Sequence, residues 1–255
     1  MAQIISIVNQ KGGVGKTTTA LNLAAALARL GKSVLLVDID PQANATSGLG
    51  VNWREISKGI YEALMGIHPF RSVIIKTGRD GYHLAPATQD LAGANVELVN
   101  LTGREMKLRE ALLEVRHDYD FILIDCPPSL GLLTVNGLTA ADTLLIPVQA
   151  EYYALEGLGQ LLATIDLVRQ NLRPDLSVLG AVLTMFDGRN KLSSDILQEL
   201  YKYFPQRIFR SVIPRTVKLA EAPSFGKTIF EYERGGKGAN AYERLAREML
   251  EIMQS

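Results

Sequence analysis

The segment Gln10-Lys11-Gly12-Gly13-Val14-Gly15-Lys16-Thr17-Thr18 combines glycines, amino groups and hydroxyls at the spacing that phosphate chemistry needs. Gly12, Gly13 and Gly15 let backbone N–H groups turn inward around phosphate oxygens, with Val14 and Thr18 in the same cradle, and a helix starting there adds a favourable dipole. Lys16 is placed to reach β and γ phosphates, and Thr17 to offer its hydroxyl to Mg²⁺. Where the general phosphate-loop pattern has its first glycine this chain has Gln10, and a second lysine, Lys11, follows it. The metal shell needs a carboxylate ending a neighbouring strand, and Phe121-Ile122-Leu123-Ile124-Asp125 supplies it in Asp125. Asp38-Ile39-Asp40 ends another apolar run in the same way. In β geometry these two carboxylates point to one face, toward the crevice at the strand ends, and one of them is expected to be structural.

Such residues must be held by a scaffold, and the sequence describes one. Short β-branched runs at Ile4–Val8, Val34–Val37, Phe121–Ile124, Leu144–Val148, Val178–Leu183 and Ile208–Ile213 alternate with helix-length segments. Strands apolar on both faces imply a covered parallel sheet. Between the first two, Ala20, Leu21, Ala24, Leu27 and Ala28 fall at helical spacing, which predicts a helix over Thr17–Leu30 with Gly31 at its C-cap. The same grammar runs to a last helix with the apolar stripe Tyr242, Leu245, Ala246, Met249, Leu250 and Met253. The predicted architecture is a doubly wound, mostly parallel α/β sheet with helices on both faces. Over residues 51–100 the periodic segments are short and broken by glycine and proline, which predicts small helices and an edge hairpin. No repeat, low-complexity tract or long linker interrupts the chain, so residues 1–255 are expected to form one phosphate-loop ATPase domain.

Composition narrows the function further. With 47% apolar and 21% charged residues the chain can bury a sizeable core, and 27 basic against 27 acidic residues give no bulk attraction to nucleic acid or anionic membrane. Any such binding must come from a local patch. The single cysteine, Cys126, excludes an intrachain disulfide and any metal or iron–sulfur site needing two cysteines from one chain. It is expected to be a buried small residue in a reducing compartment. His68, His83 and His117 show no metal-ligand spacing. No apolar run approaches the roughly 18 residues of a membrane span, so the expected location is the cytoplasm.

Three stretches in order, Lys11 to Thr18, then Val37-Asp38-Ile39-Asp40-Pro41-Gln42, then Asp125-Cys126-Pro127-Pro128, resemble the deviant Walker A phosphate-loop ATPases, and within them the ParA/Soj partitioning proteins. The similarity continues through Val212-Ile213-Pro214-Arg215 and Glu221-Ala222-Pro223-Ser224-Phe225-Gly226-Lys227. The resemblance implies ATP and Mg²⁺ as cofactors and an ATP-dependent sandwich homodimer in which Lys11 of each subunit crosses to the phosphates held by the other. On residue chemistry alone Lys11 is equally well a solvated charge. Asp40 would orient the attacking water, and Met185, Pro214 and Arg215 would meet the adenine edge. The resemblance also implies sequence-independent DNA binding by the dimer, a centromere-binding ParB-like partner that triggers hydrolysis, and association with the nucleoid. Arg189 and Lys218 sit where it suggests contacts to backbone phosphate. Residues 187–227 carry eight Lys or Arg against four Asp or Glu, and Arg207, Arg210, Arg215 and Lys218 have no acid between them in sequence.

Two other functions share the loop. A MinD-like membrane ATPase would end in a basic amphipathic anchor, whereas the polar face of the last helix here is mixed: Glu243, Arg244, Arg247, Glu248 and Glu251. A small-molecule kinase or synthetase would need an acceptor pocket beside the loop. The nitrogenase iron protein is excluded by the lone cysteine.

Overall fold

The computed structural model describes residues 1–151, 156–189, 191–205 and 207–254. Among these, seven strands form one sheet in the order β3-β4-β2-β5-β1-β6-β7. The strands are β1 (Gln3–Ile7), β2 (Val34–Asp38), β3 (Ile75–Arg79), β4 (Tyr82–Ala85), β5 (Phe121–Asp125), β6 (Thr143–Gln149) and β7 (Ser177–Thr184). Every neighbouring pair is parallel except the β3–β4 hairpin at one edge. Every residue of β2, β5 and β6 is buried, which is why their sequences read as unbroken apolar runs and do not alternate. Alternate side chains feed two separate cores. Ile4, Leu35, Val37, Ile122 and Ile124 enter one, and Ile5, Ile7, Leu36 and Leu123 the other.

The helix predicted after the loop, α1, spans Lys16–Arg29 and lies in the second core. Nearly all of Thr19–Leu27 is buried, because α1 has the sheet on one side and the last helix (Lys237–Gln254) on the other. Small alanines allow that close fit. Gly31 ends the helix at φ 82°, a left-handed conformation that glycine adopts without a Cβ penalty. The last helix buries Tyr242, Leu245, Ala246 and Met249 as the stripe predicts, and its Tyr242 hydroxyl lies 3.3 Å from that of Thr19. Its apolar face is therefore spent on the core. No helix among the described residues is long and apolar enough to cross a membrane.

Residues 51–100 hold the expected edge hairpin and short helices at Ile60–Leu64 and Leu91–Glu97. One expectation fails: Ile208–Ile213 is not a strand. The segment runs beside β7 but pairs only as isolated bridges, Ile208 with Ala181 of β7 and Pro214 with Phe186 just beyond it. Phe209 N donates to Ala181 O at 2.9 Å and Ile213 N to Leu183 O at 2.8 Å, but between them the ladder is broken. There the Glu248 carboxylate, on the last helix, accepts from Arg210 N at 2.7 Å and Ser211 N at 2.8 Å. A buried carboxylate has taken the N–H groups that a strand needs.

Glu248 is 8% exposed, so Glu248→Ala strands two N–H groups in a site that water reaches poorly. The expected cost is about 2–4 kcal/mol. It is read as a lower urea midpoint at unchanged slope, with Glu248→Gln losing less.

Candidate nucleotide site

The C-terminal ends of β1, β2, β5, β6 and β7 converge on one crevice, at the point where the sheet order turns back on itself. From β1 the chain enters the loop Asn9–Gly15. Asn9 fixes its start, donating from Nδ2 to Pro147 O at 2.7 Å and accepting from Lys11 N at 3.0 Å. Thr184, the last residue of β7, fixes its end by donating from its hydroxyl to Val14 O at 2.7 Å. Gly13 and Gly15 have φ of 75° and 87°, so glycine is required at both. At Gly12 no atom of the described residues beyond its two chain neighbours lies within 4 Å of where a Cβ would stand.

Gly15 is the N-cap of α1, and no side chain caps the helix, nor is there an acid in its first turn. The N–H groups there are left to an external anion, which the helix dipole favours. Lys16 is buried, its Nζ donating to Lys11 O at 3.1 Å, and burial lowers its pKa while Asp125 and Asp40 act against that shift. The cavity in front of α1 holds about 650 Å³ and is lined by Gly12, Gly13, Lys16, Thr17, Asp40 and Pro128, among others. A second cavity of about 340 Å³ shares Gly15, Thr18 and Met185 with it and adds Ile213, Pro214, Arg215 and Val217. The first, which faces the helix N-terminus, is the more polar of the two. Together they match the needs of a nucleotide's phosphates and base, and the predicted Met185, Pro214 and Arg215 line the second. Met185 stands at the junction with φ 52°, rare for a side-chain-bearing residue.

Asp38 and Asp125 are paired in register on adjacent strands and fully buried. Asp38 is satisfied: it accepts from Thr46 N at 2.8 Å, Thr46 Oγ1 at 2.7 Å and Asp40 N at 3.2 Å. Burial still pushes its carboxyl up to about 6, with the Asp40 charge adding to the rise and the Thr46 bonds opposing it. It is the structural member of the Asp38–Asp40 pair. Asp40 faces the cavity, 6% exposed, with Oδ1 accepting from Gln42 N at 2.9 Å. Among the described residues, neither oxygen of Asp125 has a hydrogen-bond partner. Burial first, and then the Asp38 charge, raise its pKa well above the usual carboxylate range, while the nearby Thr17 hydroxyl and Lys16 oppose the shift. An unpaired buried carboxylate beside a threonine hydroxyl suits Mg²⁺, which takes one or two protein ligands and completes its shell with phosphate and water. No cage of three His, Cys, Asp or Glu side chains exists among the described residues.

The remaining predicted residues lie elsewhere. Lys11 Nζ is 4.0 Å from Glu151 Oε2, both partly exposed, so within one chain its ammonium has a surface partner. Arg189 is 91% exposed and forms a two-pronged pair with Asp187, whose carboxyl it pulls down to about 2. Lys218 Nζ lies 3.0 Å from Glu221 Oε2, which also accepts from Tyr232 Oη at 3.0 Å. Arg210 faces Glu248 and Glu251. Of the four basic residues that have no acid between them in sequence, Arg210 and Lys218 thus meet acids in the fold, and Arg207 donates to the Val178 carbonyl at 2.9 Å. Cys126 is buried and its thiol is pushed up by burial, as expected of a packing residue. Asn44 and Ser47, one helical turn apart after Asp40, and Ser224 also line the larger cavity. The sequence offered only the polar i, i+3 spacing as a signal for the first two.

A doubly wound sheet whose β1–loop–α1 unit presents an uncapped helix end, a buried lysine and a strand-end aspartate defines a phosphate-loop NTPase. An AAA domain family matches residues 2–178. The chain is 53% identical over 250 residues to the chromosome partitioning protein ParA of Myxococcus xanthus, covering 98% of this chain and 88% of that one. It is 54% identical to the chromosome-partitioning ATPase Soj of Thermus thermophilus, covering 98% and 96%. Among solved structures, a Mycobacterium smegmatis chain described as cobyrinic acid a,c-diamide synthase, with bound ADP and magnesium, superposes with a TM-score of 0.89 at 39% identity, covering 100% and 96%. The chain belongs to the ParA/Soj family of chromosome-partitioning ATPases.

Asp38 and Asp125 bind protons more tightly folded than unfolded. Without nucleotide or divalent cation, stability should therefore fall as pH rises from about 4 through their folded values. Asp125→Asn removes that term. Its urea midpoint should exceed wild type at pH 8 and approach it at pH 5; the same gap at both pH values would contradict the buried, unpaired state of Asp125.

Proposed function

We propose that residues 1–255 act as one ATP-driven switch for DNA partitioning. ATP closes a two-copy sandwich, the closed dimer holds DNA without sequence preference on the nucleoid, and hydrolysis stimulated by a centromere-binding ParB-like partner releases it. The observation that carries this reading is the uncapped N-terminus of α1 facing a cavity lined by buried Lys16, with the buried Asp125 carboxylate beside Lys16 and Thr17, in a chain about half identical to partitioning ATPases.

The loop N–H groups and Lys16 bind the β and γ phosphates, and burial of Lys16 strengthens that attraction by excluding water. Thr17 and Asp125 would hold Mg²⁺, which would neutralise charge on the bound phosphates. Asp40, at the cavity wall, orients the attacking water. Met185, Pro214 and Arg215 receive the adenine edge. Lys11 leaves Glu151 and crosses to the partner's phosphates, exchanging a weak surface ion pair for a multiply charged one. Arg189 and Lys218 meet DNA backbone phosphate on the dimer surface.

A second reading, an ATP-dependent synthetase, is favoured by the description of the M. smegmatis structure alone. It requires hydrolysis to depend on a small-molecule acceptor, whereas the partitioning reading requires DNA and a protein partner to set the rate.

Lys16→Ala should abolish nucleotide binding, seen in titration with a fluorescent ATP analogue. Asp40→Ala should bind ATP normally with little hydrolysis and, in gel filtration with light scattering, be a dimer in ATP and a monomer in ADP. Gly12→Val has room within one chain, so it should fold and bind nucleotide yet stay monomeric. Equal mass in both nucleotides for Asp40→Ala would remove the sandwich.

DNA binding should appear with ATP and not ADP, and weaken steeply with salt. About four phosphate contacts per dimer give a log–log slope near −3 to −4. Arg189→Glu should weaken binding to all sequences alike and flatten that slope while leaving ATP-driven dimerisation intact. Unchanged affinity would take Arg189 out of the interface.

A further inference from the structure

Asp40 stands on a segment with few restraints of its own. Among the described residues its carboxylate accepts only the nearby Gln42 N–H, and the chain then passes through Ala43, whose φ of 50° is left-handed without being glycine. Such a residue costs of order 1 kcal/mol or more and persists only where its surroundings impose it. The short helix that follows, Asn44–Gly48, has no side-chain cap. What imposes the turn is Thr46. Its N–H and its hydroxyl both donate to Asp38 Oδ2, at 2.8 and 2.7 Å, and its oxygen accepts from Ala87 N at 3.0 Å. The other oxygen of Asp38 accepts from Asp40 N at 3.2 Å. One buried side chain thereby ties the segment to β2, through Asp38, and to the residues just after β4, through Ala87. At its far end the segment is held by close backbone approach, because a Cβ on Gly226 would stand 2.5 Å from Gly50 Cα.

We infer that Thr46, acting through Asp38, is a positioning residue for hydrolysis: it holds the Asp40 carboxylate, and with it Asn44 and Ser47, at the cavity wall. This rests on the reading of Asp40 as the water-orienting group. Thr46 is fully buried and does not line the cavity, so its loss moves the geometry of the reacting side without removing a group that binds nucleotide. The phosphate cradle is held separately, by Asn9 and Thr184, which Thr46 does not touch.

The test compares Thr46→Val, which keeps the shape and loses both hydroxyl bonds, with Thr46→Ser, which keeps them. ATP affinity is measured with a fluorescent analogue, hydrolysis at saturating ATP and Mg²⁺, and hydrogen exchange over residues 40–50. Thr46→Val should hold ATP within about twofold of wild type, hydrolyse it on the order of ten- to a hundredfold more slowly, and exchange faster over 40–50 only. Thr46→Ser should return hydrolysis to within a few-fold. Wild-type turnover in Thr46→Val, or a loss that Thr46→Ser does not recover, overturns the proposal. If Thr46→Val does not fold, Asp38→Asn, which keeps volume and loses an acceptor, carries the same test: its turnover must fall at saturating ATP and Mg²⁺ with ATP affinity kept. Failure of the wild type to bind or hydrolyse ATP would instead remove the ATPase reading itself.

Discussion

Two carboxylates out of water at the ends of neighbouring strands are the constraint around which this molecule is arranged. Asp38 and Asp125 face each other in register, and a pair of buried charges is costly unless each finds compensation. The chain compensates them differently. Asp38 receives three hydrogen bonds from its own segment, and in receiving them it folds that segment into the turn and short helix that bring Asp40 to the cavity. Asp125 receives none and is left with Lys16 and Thr17 nearby. The satisfied carboxylate serves as scaffold. The unsatisfied one carries an electrostatic demand that a divalent cation would meet on the proposed reading.

The same division explains the loop. An α-helix normally begins with a side chain that accepts its first N–H groups, and α1 has none. Its exposed donors and the deficit at Asp125 are complementary in sign. One attracts an anion and the other a cation, so a phosphate–metal pair answers both at once. Lys16, made less basic by burial, sits between them.

Much of this was legible in the sequence because the signals are local. Five of six predicted strands, α1 to within a residue, the last helix, and the proximity of Asp125 to Lys16 and Thr17 follow from runs, spacings and one loop motif. What the sequence did not reveal involves partners distant along the chain. Ile208–Ile213 has a strand's composition, and only Glu248, from another helix, shows why it is not one. Asp38 and Asp40 are indistinguishable by position, and Thr46 with Ala87 decides which is scaffold. The three loop glycines look alike, yet positive φ requires glycine at Gly13 and Gly15, while nothing within the chain requires it at Gly12.

Charge is the quantity most altered by folding. In a stretch that reads as basic in sequence, several cations become members of ion pairs: Arg189 with Asp187, Lys218 with Glu221, Arg210 with Glu248 and Glu251. Those at Arg189 and Lys218 are exposed or half-exposed, and exposed pairs contribute about 0–1 kcal/mol. They dissociate cheaply when a more densely charged polyanion approaches, since release of its condensed counterions outweighs so small a loss. A neutral chain with weakly compensated cations therefore has little attraction for DNA as a single copy. On the proposed partitioning function, two copies side by side double the cations without doubling the cost per contact, so DNA affinity would depend steeply on assembly, and assembly on ATP.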